Sequence, residues 1–252
     1  MACIKEFEKV VMKHRDEVCA VIIEPRVQGA GGMIVQPEGF LAALRRITRE
    51  NNVLLIADEV ATGFGRTGNM FACNKEAVEP DFLCVAKGIT GGYLPLAATL
   101  TTNEVFSAFL GPFDAFKTFF HGHTYTGNPL ACSVAIENIH LFEKEQTVKK
   151  MQSKIALLKN ELRKCSDLSH VGEVRQEGFM VGIELVKNRK TKKPYAPKDK
   201  IGQKVTQEAR RRGVIIRPLG DVIVLMPPLA IEEQTLKRLI DVTYESIKLV
   251  TK

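Results

Sequence analysis

Residues 53–87 read VLLIADEVATGFGRTGNMFACNKEAVEPDFLCVAK. Two short apolar runs, residues 53–57 and 82–86, each stop at a charged side chain, Asp58 and Lys87. Runs this short, bounded by turn residues, predict buried strands and not helices. Upstream, residues 18–23 form a similar run closed by Glu24. Between them, residues 38–51 place Phe40, Leu41, Leu44 and Ile47 on one helical stripe. Strands apolar on both faces and separated by a helix imply a mostly parallel sheet covered on both sides. Residues 95–100 predict a fourth strand.

Ligand sites in such sheets lie beyond the carboxyl ends of the strands, where Glu24, Asp58 and Lys87 stand. A lysine closing an apolar strand is expected to be partly desolvated, which favours a nucleophilic amine. The bland reading is a lysine that snorkels to water. Asp58 alone serves a helix cap or an ion pair as readily as chemistry. Together they match the protein's part of a pyridoxal phosphate site, a Schiff-base lysine and an aspartate on the pyridinium nitrogen. Lys87 would hold the cofactor and move protons. Asp58, ionised, would keep the ring nitrogen protonated. Gly88, Gly91 and Gly92 after the lysine allow close backbone approach.

A rival reading sits in the same stretch. Residues 63–68, GFGRTG, match the G-x-G-x-x-G of dinucleotide sites. Residues 58–60 separate strand from glycines where that fingerprint wants a tight turn. The segment after Gly68 is short and carries no long helical stripe, and no acid closes a second strand at the required distance. A phosphate-binding P-loop fails too, because Lys87 is followed by glycine.

The texture changes in the second half. Asn128-Pro129 predicts an N-cap with proline at the first helical position, opening a helix to about Lys144, with another long charged helix after it. Residues 172–186 and 214–225 read as extended, with helices over 200–212 and 232–250. This α+β pattern divides the chain into domains at 1–147 and 148–252. His121-Gly122-His123 lacks a third ligand at a recognisable spacing, so no metal is assigned. The amides of residues 121–129, HGHTYTGNP, and the Thr124 hydroxyl offer donors for a phosphate. Arg217 follows an apolar strand, where it either pairs with a surface acid or clamps a substrate carboxylate.

The whole chain has 252 residues, 45% hydrophobic and 26% charged, the balance of a soluble globular protein. No apolar run reaches the roughly 18 residues of a membrane span. The first residues are too charged for a signal peptide, so a cytoplasmic location is expected. The net charge of +7 is local, because residues 187–200 hold seven basic residues and one acid. That stretch reads as a solvated loop between two strands, and no interleaved aromatics support nucleic-acid stacking. The six cysteines show no paired spacing and read as free, mostly packed thiols.

With these residues in view, the chain resembles the class III pyridoxal phosphate aminotransferases. The blocks IIEPRVQGAGGM, LLIADEVATGFGRTGNMFAC, PDFLCVAKGITGGYLPLAATL, HGHTYTGNPLACSVA and VIIRPLGDVIVLMPP carry the resemblance over about residues 18–228. Within the class, GHTYTGNPLAC and IRPLGDVIVLMPP resemble the branch that serves biotin biosynthesis, in which 8-amino-7-oxononanoate receives the amino group. The resemblance implies an α/β fold of the fold-type I pyridoxal phosphate transferases: part of the mixed-sheet large domain, then a small C-terminal α+β domain. It implies Lys87 as the Schiff-base lysine, Asp58 on the ring nitrogen and Val60 on the ring face. Gly122 would contact substrate, and His123 and Thr124 would reach the cofactor phosphate of the neighbouring subunit in a homodimer with shared sites. Arg217 would bind the oxononanoate carboxylate, and Arg66 would line the substrate pocket. Another ω-amino-acid or ornithine-type aminotransferase, or a non-catalytic remnant, are the alternatives. Family members also carry a long segment before the strand at 18–23, which supplies phosphate donors and stacking aromatics. The chain is therefore expected to resemble the C-terminal portion and to hold the cofactor weakly by itself, with the strands at 18–23, 53–57 and 82–86 along an exposed edge.

Overall fold

The structure, a computed structural model, describes residues 2–252. The chain begins with α1 (Ala2–Lys13), β1 (Ala20–Ile23), β2 (Val27–Gln28), β3 (Ile34–Val35) and α2 (Phe40–Glu50). It continues through β4 (Leu54–Asp58), β5 (Phe82–Val85), β6 (Ala98–Thr101), α3 (Asn103–Ala108) and α4 (Pro129–Lys144). The second half adds α5 (Thr147–Ser166), β7 (Val171–Glu177), β8 (Met180–Leu185), α6 (Ile201–Arg211), β9 (Arg217–Leu219), β10 (Val222–Leu225) and α7 (Glu233–Val250). Two units result. The first holds residues 2–25, Pro37–Phe64 and Phe71–Glu145; the second holds Arg26–Gln36, Gly65–Met70 and Gln146–Lys252.

In the first unit the strands run in the order β1-β4-β5-β6. β1, β4 and β5 are parallel, and β6 returns antiparallel to β5, so the sheet is mixed. The stripe of α2 buries Leu41, Leu44 and Ile47 against Val53, Leu55 and Ala57. Helix α1, which the sequence reading does not anticipate, adds Ile4 and Val11 to the same core. Asp81 ties these layers together. It takes both Arg45 nitrogens of α2 at 2.6 and 2.8 Å and the Leu55 amide of β4 at 2.7 Å. Helix α4 starts as its sequence dictates: the Asn128 side chain accepts from the Leu130 amide at 3.0 Å, with Pro129 at the first turn. The strand order corrects the expected exposed edge for the strands at 53–57 and 82–86 and keeps it for the one at 18–23. β4 and β5 lie inside the sheet, and the edges are β1 and β6.

The second unit carries an antiparallel sheet in the order β7-β8-β10-β9. Alternation sends its side chains to two layers. Val181, Ile183, Leu185, Ile223 and Leu225 join the core of α5, α6 and α7. Met180 and Val224 pack instead on Val27 and Met33 of the β2–β3 hairpin. Arg175 fastens that hairpin by donating to the Met33 carbonyl at 3.1 Å and the Gly32 carbonyl at 2.8 Å. The buried pair Arg26–Glu177, at 3.0 Å, does the same from its other end.

The basic stretch 187–200 lies between β8 and α6, not between two strands. A bridge between Asn188 and Lys193 and a short 3-10 turn at Pro197–Asp199 give it local order. Its lysines and arginine are exposed. Of the cysteines, Cys73 and Cys165 are buried, Cys84 and Cys132 half-buried, and Cys3 and Cys19 exposed. Among the described residues no helix is long and apolar enough to cross a membrane.

Candidate active site

The parallel pairing of β4 with β5 sets Asp58 opposite Cys84. Lys87 stands three residues further on, so the two groups close adjacent strands, which run about 4.8 Å apart. Asp58 is half-buried, and one of its oxygens accepts the Val60 amide at 3.1 Å. Its other oxygen has no partner among the described residues. That oxygen can take a cationic N–H.

Lys87 opens the 3-10 turn Lys87–Thr90 with φ of 46°, in the left-handed region that side chains avoid. Such strain persists only where the surroundings impose it, and they do. A Cβ on Gly88 would lie 2.8 Å from the Phe64 Cβ. From α4, the Asn138 amide donates to the Gly88 carbonyl at 2.9 Å and the Ile89 carbonyl at 3.1 Å. Neither Phe64 nor Asn138 is among the residues that the sequence reading singles out. A signal exists for Asn138, which shares the inward face of α4 with Ala131 and Ala135 at helical spacing. The expected desolvation of Lys87 is corrected, because its side chain is exposed.

Glu59 follows Asp58 and is wholly buried. Its carboxylate accepts the Ala72 amide at 2.7 Å and the Cys73 amide at 2.8 Å. Burial pushes this carboxyl above the usual range, against the pull of those hydrogen bonds. Burial, with the Glu59 charge behind it, also pushes the Cys73 thiol up, so this cysteine stays a packed thiol.

Gly122, His123 and Thr124 lie in an exposed turn before α4. That turn is folded on itself: the His123 amide donates to the Thr126 hydroxyl at 2.9 Å, and the Tyr125 amide to His123 Nδ1 at 3.1 Å. No hydrogen bond joins it to Asp58 or Lys87 among the described residues. In the second unit, Arg66 is half-buried and donates to the Pro227 carbonyl at 2.6 Å. Burial lowers the pKa of its guanidinium, and no carboxylate pairs with it among the described residues. Arg217 begins β9, is exposed, and is likewise without a partner there.

The family model described as aminotransferase class-III matches residues 1–247. The chain belongs to the class-III aminotransferases. It is 55% identical to the adenosylmethionine-8-amino-7-oxononanoate aminotransferase of Nitratidesulfovibrio vulgaris, over 100% of this chain and 46% of that protein. The protein of the same name from Aquifex aeolicus is also 55% identical, over 97% of this chain and 54% of that one. The crystal structure of adenosylmethionine-8-amino-7-oxononanoate aminotransferase from Methanocaldococcus jannaschii superposes with a TM-score of 0.96 at 49% identity. That match covers 99% of this chain and 58% of the crystallised one. The chain thus spans about half the length of the relatives it matches.

Class-III aminotransferases depend on pyridoxal phosphate in general, and the residues present fit that cofactor. A strand-end carboxylate with one unpartnered oxygen suits a protonated ring nitrogen. An exposed amine on the neighbouring strand end suits an aldehyde carbon. The dinucleotide alternative fits worse, since a 3-10 turn at Ala72–Glu76, and not an α-helix, follows the glycines.

Proposed function

We propose that this class-III aminotransferase chain transfers an amino group to 8-amino-7-oxononanoate, giving 7,8-diaminononanoate, in biotin biosynthesis. The observation that carries the reading is the Asp58–Lys87 pair on adjacent parallel strand ends. The 55% identity to relatives named for that reaction supports the substrate. Bound pyridoxal 5'-phosphate would supply an electron sink for negative charge at the carbon that loses or gains the amino group.

The chain's own residues would do the rest. The free oxygen of Asp58 accepts the ring N–H, and the Val60 amide holds its other oxygen in place. The Val60 side chain covers a ring face. The Lys87 amine binds the cofactor and carries protons to and from the reacting carbon. Its exposure suits a proton carrier that must reach substrate. Arg217 takes the substrate carboxylate, which a guanidinium binds through two parallel N–H donors, and Arg66 lines the substrate pocket. Gly122 contacts substrate, and His123 and Thr124 serve the cofactor phosphate of a second subunit in a homodimer. Residues 1–147 act as the cofactor-binding part of a large domain, and 148–252 as the small domain. The expected location is the cytoplasm.

Titration of the purified chain with pyridoxal phosphate tests this. A visible absorption band should develop with Lys87 intact and vanish in Lys87→Ala. Amino transfer is then assayed with adenosylmethionine and lysine as donors against 8-amino-7-oxononanoate and simple keto acids. A band that survives in Lys87→Ala refutes the lysine's role. Transfer to keto acids alone, with oxononanoate inert, refutes the acceptor.

A further inference from the structure

One end of the β7-β8-β10-β9 sheet gathers four features. β8 and β10 are antiparallel, so the start of β8 lies beside the end of β10, with Val181 opposite Leu225. β10 and β9 are antiparallel too, so Arg217 lies opposite Val224 at that same end. The β7–β8 turn at Gly178 and Phe179 and the chain leaving β10 towards Pro227 therefore share this end with Arg217. Arg66 is fastened to both of the former. Its carbonyl accepts the Phe179 amide at 2.9 Å, and its Nη1 donates to the Pro227 carbonyl at 2.6 Å.

The fit at the turn is close. Gly178 has φ of 58°, and a Cβ there would lie 2.4 Å from the Thr67 carbonyl carbon and 2.6 Å from the Arg66 oxygen. Those are backbone atoms, so a side chain at 178 displaces the Arg66 peptide itself. Helix α5 also holds this loop, through Gln152, which donates to the Gly68 carbonyl at 2.8 Å. Arg66 keeps one guanidinium nitrogen committed to Pro227 and its remaining donors uncommitted, without a counter-ion among the described residues. A half-buried guanidinium in that state is built for an incoming anion.

We propose that Gly178 is a positioning residue. Its bare α-carbon lets the β7–β8 turn seat Arg66 at the sheet end where Arg217 begins β9, so that one sheet aims both guanidinia at a substrate carboxylate. This rests on the proposed reading of Arg217 as the carboxylate's partner and of Arg66 as a residue of the substrate pocket. A positioning error near 1 Å is enough to cost a large factor in a bidentate contact.

The test uses the full chain with nonanoate as probe, a monocarboxylate of the proposed acceptor's length. Dissociation constants are measured for Gly178→Ala, Gln152→Leu and Gly220→Ala, and the Arg66 Nε–H signal is followed by nitrogen-15 NMR. Gly220 is the control. It has φ of 59° at the opposite end of the sheet, and a Cβ there meets nothing within 4 Å. Gly220→Ala thus carries the same backbone strain without moving Arg66. Gly178→Ala should weaken nonanoate by about tenfold or more and shift the Arg66 signal. Gln152→Leu, at an exposed site that leaves the core untouched, should do so to a smaller degree, and it decides the matter if Gly178→Ala does not fold. Gly220→Ala should lose stability but not affinity. Equal affinity loss in Gly178→Ala and Gly220→Ala, or an unmoved Arg66 signal in Gln152→Leu, overturns the positioning role. If Arg66→Ala and Arg217→Ala both bind nonanoate normally, the carboxylate reading fails first and takes this proposal with it.

Discussion

Gly88 follows the lysine and is pressed against Phe64, 2.8 Å from where its Cβ would stand. The neighbour is a Cβ on a ring that also packs edge-on against Phe71 at 5.6 Å, so it has little room to yield. Gly88→Ala should therefore destabilise the chain by about 1–3 kcal/mol, the usual range for overpacking. It should also displace the Lys87 turn. Thermal melts read the first effect, and the rate at which pyridoxal phosphate develops its visible band reads the second. A variant with unchanged melting and an unchanged band would show that Phe64 moves aside freely. Glu59 works at the same scale in the opposite sense. Its two oxygens each hold a backbone amide, and its burial leaves it no water to fall back on. Asp58 and Lys87 are legible from sequence, because charged residues closing apolar runs stand out. Glu59 is charged as well, but only the folded chain reveals that it turns inward to hold the loop.

At the scale of elements, Asp81 joins α2 to β4 and stands next to β5. Burial raises its pKa, but the Arg45 hydrogen bonds, the Leu55 amide and the nearby arginine charges outweigh burial and hold it below the usual carboxylate range. A carboxyl with a depressed folded pKa stabilises the fold at every pH above its unfolded value of about 3.9. That contribution is lost as pH falls through the lower folded value. Acid unfolding should therefore set in below about pH 4 with a component that Asp81→Asn removes. At neutral pH the substitution should cost about 2 kcal/mol, the scale of hydrogen bonds to a charged group. Denaturant melts between neutral and acid pH measure both. Parallel curves for the two proteins would mean that other carboxyls carry the acid transition. The helices keep close to their sequence signals: α4 runs Pro129–Lys144 behind the Asn128 cap. Helix α1 is harder to see, because it precedes the first strand and so lies outside the alternation of strand and helix. The basic stretch reads as a link between strands but leads into α6, because its charges report solvation and carry no information on the element after it.

At the scale of the molecule, the first unit leaves several large apolar side chains open to solvent. Tyr93, Phe113, Phe116 and Phe120 are 85%, 94%, 79% and 88% exposed, and Leu130 and Ile136 of α4 are exposed as well. Every residue of the edge strand β6 is exposed too. Surfaces of this kind promote association, and open strand edges add to it. The purified chain should sediment above its 28.0 kDa mass at micromolar concentration and shift lower on dilution. Replacing Phe113, Phe116 and Phe120 with serine should reduce that association without lowering the melting temperature, since these rings bury little. A monomer at all concentrations would contradict it. Composition alone hides this feature. An aromatic content of 7% is ordinary, and only the fold reveals that so many of those rings face outward.

What the sequence determined by itself was local and periodic. Apolar runs set the strands, the Asn128-Pro129 pair set a helix start, and Asp58 and Lys87 marked strand ends, because backbone geometry and burial act over a few residues. What only the tertiary structure decided depends on chain segments far apart. Arg66 is carried by residues 112 and 113 positions later, through the Gly178 contact and the Phe179 amide, and by Pro227 beyond them. The Lys87 turn is held by Asn138, 51 residues on. Such pairings leave no periodicity to read, since the free energy that selects them comes from packing and hydrogen bonds formed only after the strands have found their register.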